Sequence, residues 1–187
     1  RAALEANVAA LEGMQYGLAF GSGMAAIDAV LRAMLVAGDE VIALADCYGG
    51  AYRLLTRIYA PAGVTVTFLD LTTHPEQLED AIGERTRLVW LESPTNPLLK
   101  LVDLPRVAAI CRARGVTTAI DNTFASPYLQ NPRESGIDIV MHSATKFLGG
   151  HGVAVGGLLV DGGAFDWEAA GGRFPTLTEA YEGFHGM

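Results

Sequence analysis

His142-Ser143-Ala144-Thr145-Lys146 follows a short apolar run, Ile137 to Met141, and leads into Gly149-Gly150-His151-Gly152. About 25 residues upstream, the apolar run Val116 to Ile120 ends in Asp121-Asn122-Thr123-Phe124. Both runs have the length and continuity of buried strands, and each delivers a polar cluster at its carboxyl end. The same unit recurs outward. Leu18 to Phe20, Val41 to Ala45, Val64 to Leu69, Leu88 to Leu91 and Val153 to Val160 also read as strands. Helix spacing fills the gaps between them. Leu4, Val8 and Leu11 share one face of residues 2–12, and Met24, Ile27, Leu31 and Met34 share another before Gly38-Asp39 stops that helix. A third helix runs from Gly50 to about Tyr59, and Pro75 suits the first turn of a fourth, with Leu78, Ala81 and Ile82 inward. Asp103 is placed to cap a fifth, with Pro105 just inside, a buried stripe of Leu104, Val107, Ile110 and Cys111, and Gly115 closing it. Continuous apolar strands alternating with helices predict one α/β unit, with a mostly parallel central sheet covered by helices on both faces.

The bulk numbers narrow the function classes. At 187 residues the chain can bury one sizeable core, and 50% hydrophobic against 18% charged residues excludes a disordered segment. A net charge of −8 opposes a nucleic-acid surface or an anionic membrane as partner. No apolar run approaches a membrane span, and no basic-then-apolar leader opens the chain. Cys47 and Cys111 lack metal-ligand spacing and make no disulfide framework, which fits a reducing, cytoplasmic setting. The sequence starts at Arg1, directly in an amphipathic run, and Gly183-Phe184-His185-Gly186-Met187 has no terminating feature, so it reads as a piece of a longer protein.

In sheets of this kind the working residues collect beyond the carboxyl ends of the strands. The polar clusters sit there: Ser22-Gly23, Asp46 to Gly50, Glu92 to Asn96, Asp121 to Thr123 and Ser143 to Lys146. Gly21-Ser22-Gly23-Met24 lies between a strand and a helix, where backbone N–H groups bind phosphate. Ser143 and Thr145 can bond phosphate oxygens while Lys146 offers an amine to an aldehyde. Asp121 can keep a pyridine nitrogen protonated, Tyr48 can stack on a ring, and Asn96 can donate to a phenolic oxygen. Pyridoxal phosphate needs that combination. Blander fates exist for each: a glycine turn, a solvated lysine, an Asx turn at Asp121, a half-buried aromatic at Tyr48, and a turn residue at Asn96. His142, His151 and His185 show no metal spacing and read as structural, or as supports behind the residues that touch the ligand.

Two other motifs match parts of these clusters, and only the first stays open as a rival. Gly21-Ser22-Gly23-Met24-Ala25-Ala26 fits G-x-G-x-x-A, with Asp46 after the next strand as a ribose-binding acid, but a lone match is weak and leaves Lys146 and Asp121 without a role. Ser143-Ala144-Thr145-Lys146 fits S-x-x-K, yet the accompanying S-D-N and K-T-G strings do not occur.

Taken in order, Ser22-Gly23-Met24, Tyr48-Gly49-Gly50, Glu92-Ser93-Pro94-Thr95-Asn96-Pro97, Asp121-Asn122-Thr123-Phe124 and His142-Ser143-Ala144-Thr145-Lys146 resemble the Cys/Met-metabolism family of pyridoxal-phosphate enzymes. The resemblance implies the aspartate-aminotransferase-like large domain of fold type I over residues 1–187, without its N-terminal arm and C-terminal small domain. It implies that Lys146 bonds the cofactor covalently, Asp121 pairs with the ring nitrogen and Tyr48 stacks on the ring and assists catalysis. It implies phosphate held by the backbone at Gly23 and Met24 and by the hydroxyls of Ser143 and Thr145, with Ser22, Asn96 and Thr123 also at the cofactor. Cystathionine lyases and synthases usually follow Gly-Gly-His with Ser-Asp, whereas Gly152-Val153 stands here. The continuation through Asp161 to Trp167, Gly172 to Pro175 and Tyr181 to Gly186 looks like O-acetylhomoserine sulfhydrylases. Ser93-Pro94-Thr95-Asn96-Pro97 leans towards the lyases and synthases. The implied activity is γ-replacement: an O-acylhomoserine and sulfide give homocysteine and acetate, in methionine biosynthesis. An amino-acid substrate, a sulfide or thiol, and a dimer-based homotetramer are the implied partners. The alternatives are a cystathionine γ-synthase, cystathionine lyase or methionine γ-lyase of the same family and, more distantly, an NAD-binding oxidoreductase or an inactive relative serving as an interaction subunit.

Overall fold

A computed structural model describes residues 1–180 and Gly183. Tyr181, Glu182, Phe184, His185 and Gly186, on which part of the branch reading and one histidine reading rest, lie outside the described residues. In chain order the elements that position the site are α1 (Ala2–Leu11), β1 (Tyr16–Phe20), α2 (Gly23–Met34), β2 (Glu40–Leu44), α3 (Gly49–Leu54), β3 (Thr65–Leu69), α4 (Gln77–Ala81), β4 (Thr86–Glu92), α5 (Leu104–Ala113), β5 (Thr117–Asp121), α6 (Ser126–Leu129), β6 (Ile139–Ser143), β7 (Gly157–Asp161) and α7 (Pro175–Thr178). The strands form one sheet in the order β1-β7-β6-β5-β4-β2-β3. Strands β2 to β6 pair in parallel, while β7 runs antiparallel to both β6 and β1.

Strand alternation sends successive side chains to opposite faces. Ile42, Leu44, Val89, Leu91, Ile120, Val140 and Leu158 pack in the layer that includes Val107 and Cys111 of α5. Val41, Ala43, Leu88, Trp90, Ala119, Ile139 and Met141 pack in the other, against Ala26, Ile27, Val30 and Leu31 of α2. The mostly parallel sheet covered on both faces is the aspartate-aminotransferase-like arrangement. Chain order reverses between β2 and β4, so the loops after these strands open a crevice at the switch point.

Local chemistry sets the helix ends. The Ser22 hydroxyl accepts from Ala25 N–H at 3.1 Å and caps α2. Asp103 accepts from Arg106 N–H at 3.1 Å and caps α5, with Pro105 in the first turn as its sequence predicts.

Four expectations need correction. The strand expected over 153–160 begins only at Gly157; Val153 and Val155 are exposed, and Gly156 N–H donates instead to the Thr145 hydroxyl, holding the segment as a loop. Pro75 precedes α4 rather than opening it, its carbonyl accepting from Leu78 N–H. The third helix reaches Tyr59 only by widening to π geometry over Leu55–Tyr59. In α1, Leu4 and Leu11 are exposed, and the inward face carries Glu5, Val8, Ala9 and Glu12. Two carboxylates outcompete the leucines because each finds a partner: Glu5 accepts from Ala19 N–H at 2.8 Å, and Glu12 joins a buried cluster behind the site.

Ile120 is fully buried at the middle of the sheet, whereas Leu4 is half exposed. Ile120→Ala therefore lowers unfolding free energy by about 2–5 kcal/mol in urea titration, while Leu4→Ala stays within about 0.5 kcal/mol of the parent.

Candidate functional site

The loops beyond the strand ends enclose a cavity of about 230 Å³. That is small beside the roughly 300–1,000 Å³ of drug-sized ligand pockets, and suits a compact cofactor. The turn between β1 and α2 contributes Ser22, Gly23 and Met24, and the loop after β2 contributes Tyr48. Asn96 enters after β4, Asp121 and Thr123 from the end of β5, and Ser143, Thr145 and Lys146 from the end of β6. All ten residues singled out from the sequence thus line one cavity, and Lys146 and Asp121 share it rather than lying on opposite faces of the sheet.

One end of the cavity is built for an anion. The N–H groups of Gly23 and Met24 fall in the first turn of α2, where no intrahelical acceptor exists, and the helix dipole adds partial positive charge. Gly23 packs so closely that a Cβ there would lie 2.9 Å from Ser143 Cβ. A side chain would push the Ser143 hydroxyl away from this end. The Thr145 hydroxyl already accepts from Gly156 N–H at 3.2 Å, so it also anchors the loop leading to β7.

The floor has the opposite character. Asp121 is buried, and its Oδ1 accepts from Thr123 N–H at 3.0 Å. The Thr123 hydroxyl in turn accepts from Ser143 N–H at 2.8 Å, tying the ends of β5 and β6 together. Burial pushes the Asp121 carboxyl up, while the Thr123 bonds and His142 pull it down. Glu92 lines the same floor and is pushed up to about 8, first by burial and next by Asp121, against the pull of Tyr48 N–H. Cys47 is pushed up to about 12 by burial and then by Glu92, which makes it an inert thiol. Lys146 is exposed at the cavity wall, and among the described residues its Nζ makes no hydrogen bond or ion pair. A Cβ on Gly50 would come within 2.3 Å of Tyr48 Cε1 and 2.7 Å of Met24 Sδ, so the bare glycine is what lets this ring and sulfur settle.

Sequence reasoning missed Glu92, Ile27, Phe124, Met141 and Val155, which also line the cavity. For Glu92 the signal was available: it shares the strand parity of Leu88 and Trp90. Asp46, the acid of the dinucleotide rival, is occupied, its Oδ2 accepting from the buried Thr95 hydroxyl at 2.5 Å. That bond, with Lys100 N–H donating to Thr95 at 2.9 Å, shapes the loop carrying Asn96.

Behind the floor lies a second polar layer. His142 Nε2 and Glu12 Oε1 are 2.6 Å apart with both side chains fully buried, and Asn122 Nδ2 donates to the same oxygen at 2.9 Å. Gln130 Nε2 bonds Asn122 Oδ1 at 2.9 Å and Ser93 O at 2.8 Å, linking the layer to the loop after β4. His151, by contrast, is exposed.

A cationic ring nitrogen against Asp121 and a phosphate at the start of α2 match the two ends of this cavity, so its donors fit pyridoxal phosphate. Comparison with known proteins agrees: residues 1–178 match the model of the Cys/Met metabolism PLP-dependent enzymes. The chain belongs to that family. Its cofactor is pyridoxal phosphate. It is 49% identical over 160 residues to cystathionine gamma-lyase of Bacillus subtilis, covering 86% of this chain and 42% of that protein. It is 42% identical over 184 residues to O-acetyl-L-homoserine sulfhydrylase of Leptospira meyeri, covering 98% of this chain and 41% of that protein. The crystal structure of metB from Corynebacterium glutamicum superposes with a TM-score of 0.84 at 46% identity, covering 89% of this chain and 42% of the other. The chain thus spans less than half the length of these relatives. Among its described residues no helix is long and apolar enough to cross a membrane.

The buried Glu12–His142 contact supplies a test. His142→Leu strands the Glu12 carboxyl in the core and costs about 3–5 kcal/mol in urea titration, whereas the double variant Glu12→Leu/His142→Leu recovers most of that loss.

Proposed function

We propose that the intact protein exchanges the γ-substituent of an amino acid, replacing the acetate of O-acetylhomoserine with sulfide to release homocysteine. The observation that carries this reading is the convergence of Lys146, Asp121 and the start of α2 on one cavity. When bound, pyridoxal phosphate supplies an aldehyde for an amine and a ring that accepts the electron pair left at a substrate's Cα.

The chain's own groups then have distinct tasks. The N–H groups of Gly23 and Met24, with Ser22 and the hydroxyls of Ser143 and Thr145, hold the phosphate. Asp121 keeps the ring nitrogen protonated, held in place by the Thr123 N–H. Tyr48 covers the ring and assists proton transfer, and Asn96 donates to the phenolic oxygen. Lys146 holds the cofactor and afterwards moves protons, taking one from Cα and then one from Cβ of the substrate. Acetate leaves Cγ on the electron pair released at Cβ, hydrosulfide adds at Cγ, and Lys146 returns a proton to Cβ and then one to Cα, which releases homocysteine. In this reading residues 1–187 are a partial large domain. An N-terminal arm and a small domain elsewhere in the protein complete the substrate pocket of an oligomer.

The sulfhydrylase relative, matched over almost the whole chain, supports replacement by sulfide. A second reading, formation or cleavage of cystathionine, is favoured by the higher identity of the lyase relative. Assays of the intact protein separate them. The expected result is homocysteine from O-acetylhomoserine and sulfide outpacing both cystathionine formation with cysteine and ketoacid release from cystathionine; the reverse order selects the second reading. Lys146→Ala is expected to remove the cofactor's visible imine absorbance and all turnover, and normal turnover in that variant overturns the assignment.

A further inference from the structure

Glu92 has no part in the tasks assigned above, yet its placement is specific. It closes β4 on the face that carries Leu88 and Trp90, and its Cα register partner on β5 is Asp121. Neighbouring strands run about 4.8 Å apart, so two carboxyl groups stand side by side on the cavity floor. They are 4% and 5% exposed, with too little water to screen two charges. Glu92 Oε2 accepts from Tyr48 N–H at 2.6 Å. Tyr48 is the residue that opens α3, with its ring over Gly50 and at the cavity. One side chain therefore reaches from the strand that flanks Asp121 to the backbone of the aromatic lid.

The groups facing Glu92 explain its charge. Asp46, Cys47 and Tyr48 approach from the loop after β2, Asp121 from β5 and Lys146 from the wall after β6. His142 acts on Asp121 from behind the floor. Asp46 is already engaged by Thr95, and Asp121 accepts from Thr123 N–H. A cationic ring nitrogen would pair with Asp121 and keep that group ionised. Glu92 is then the carboxyl left to hold a proton, and burial and Asp121 push it up to about 8, so it does so at neutral pH.

We propose that Glu92 is a positioning residue of the cofactor site, a neutral acid that anchors the Tyr48 backbone and spares Asp121 a second charge beside it. The proposal rests on the cofactor reading above.

The test uses the intact protein and the variants Glu92→Gln and Glu92→Ala. In the protein loaded with pyridoxal phosphate, infrared difference spectra between wild type and Glu92→Gln should show a protonated carboxyl band at pH 6.5 that is lost by pH 9.5. Because the folded chain holds this proton and the unfolded chain does not, wild-type stability should fall as pH rises from about 4.5 to about 8. Glu92→Gln should remove that fall. Pyridoxal phosphate binding, followed by absorbance in a Lys146→Ala background so that the lysine's own titration is absent, should be retained in Glu92→Gln. It should weaken about tenfold in Glu92→Ala, the loss of roughly one anchoring hydrogen bond. Absence of the carboxyl band at pH 6.5, or undiminished binding in Glu92→Ala, overturns the role alone. Failure of wild type to bind pyridoxal phosphate overturns the cofactor reading and the role with it.

Discussion

A carboxylate kept out of water at the end of β5 governs the surroundings of this cavity. Burying such a group costs several kcal/mol unless something meets its charge. Asp121 draws on Thr123 N–H in front and on His142 behind, and the floor beside it leaves one oxygen-rich patch facing the ligand. A cation completes that balance, and a protonated ring nitrogen is one. The anion end, a nitrogen-rich helix start closed by Ser143, lies across the same small volume. A cavity polarised in this way orients a dipolar ligand before any side chain moves. The rigid parallel sheet makes the polarisation possible, because it fixes the three strand ends that carry it.

Much of this was legible in the residues. Continuous apolar runs announced β2, β4, β5 and β6, because strands buried on both faces have no polar side to show. The polar clusters after them announced the cavity, since in a parallel sheet all those loops leave from one edge. Asp103, Pro105 and Gly115 bounded α5 by local chemistry that tertiary packing had no reason to override.

What stayed hidden was decided by distant partners. Nothing in Val153 to Gly156 shows that the Thr145 hydroxyl will claim Gly156 N–H and stop the last strand short. In α1, the leucine spacing points one way and the carboxylates another. Only Ala19 N–H and His142, far along the chain, explain why Glu5 and Glu12 turn inward. For Glu92 the strand parity with Leu88 and Trp90 shows which face it joins, but its pairing with Asp121 depends on register, and register is a property of paired strands.

The contact between Glu12 and His142 joins residues 130 positions apart. During synthesis the first helix emerges long before the strand that receives it. At roughly 5–20 residues per second, Glu12 waits on the order of ten seconds for its imidazole. Throughout that interval its carboxyl must remain hydrated, so α1 cannot dock with its buried face as finished. The wall behind the cofactor floor therefore closes late on the ribosome, when the sixth strand is delivered and an early segment folds back to meet it.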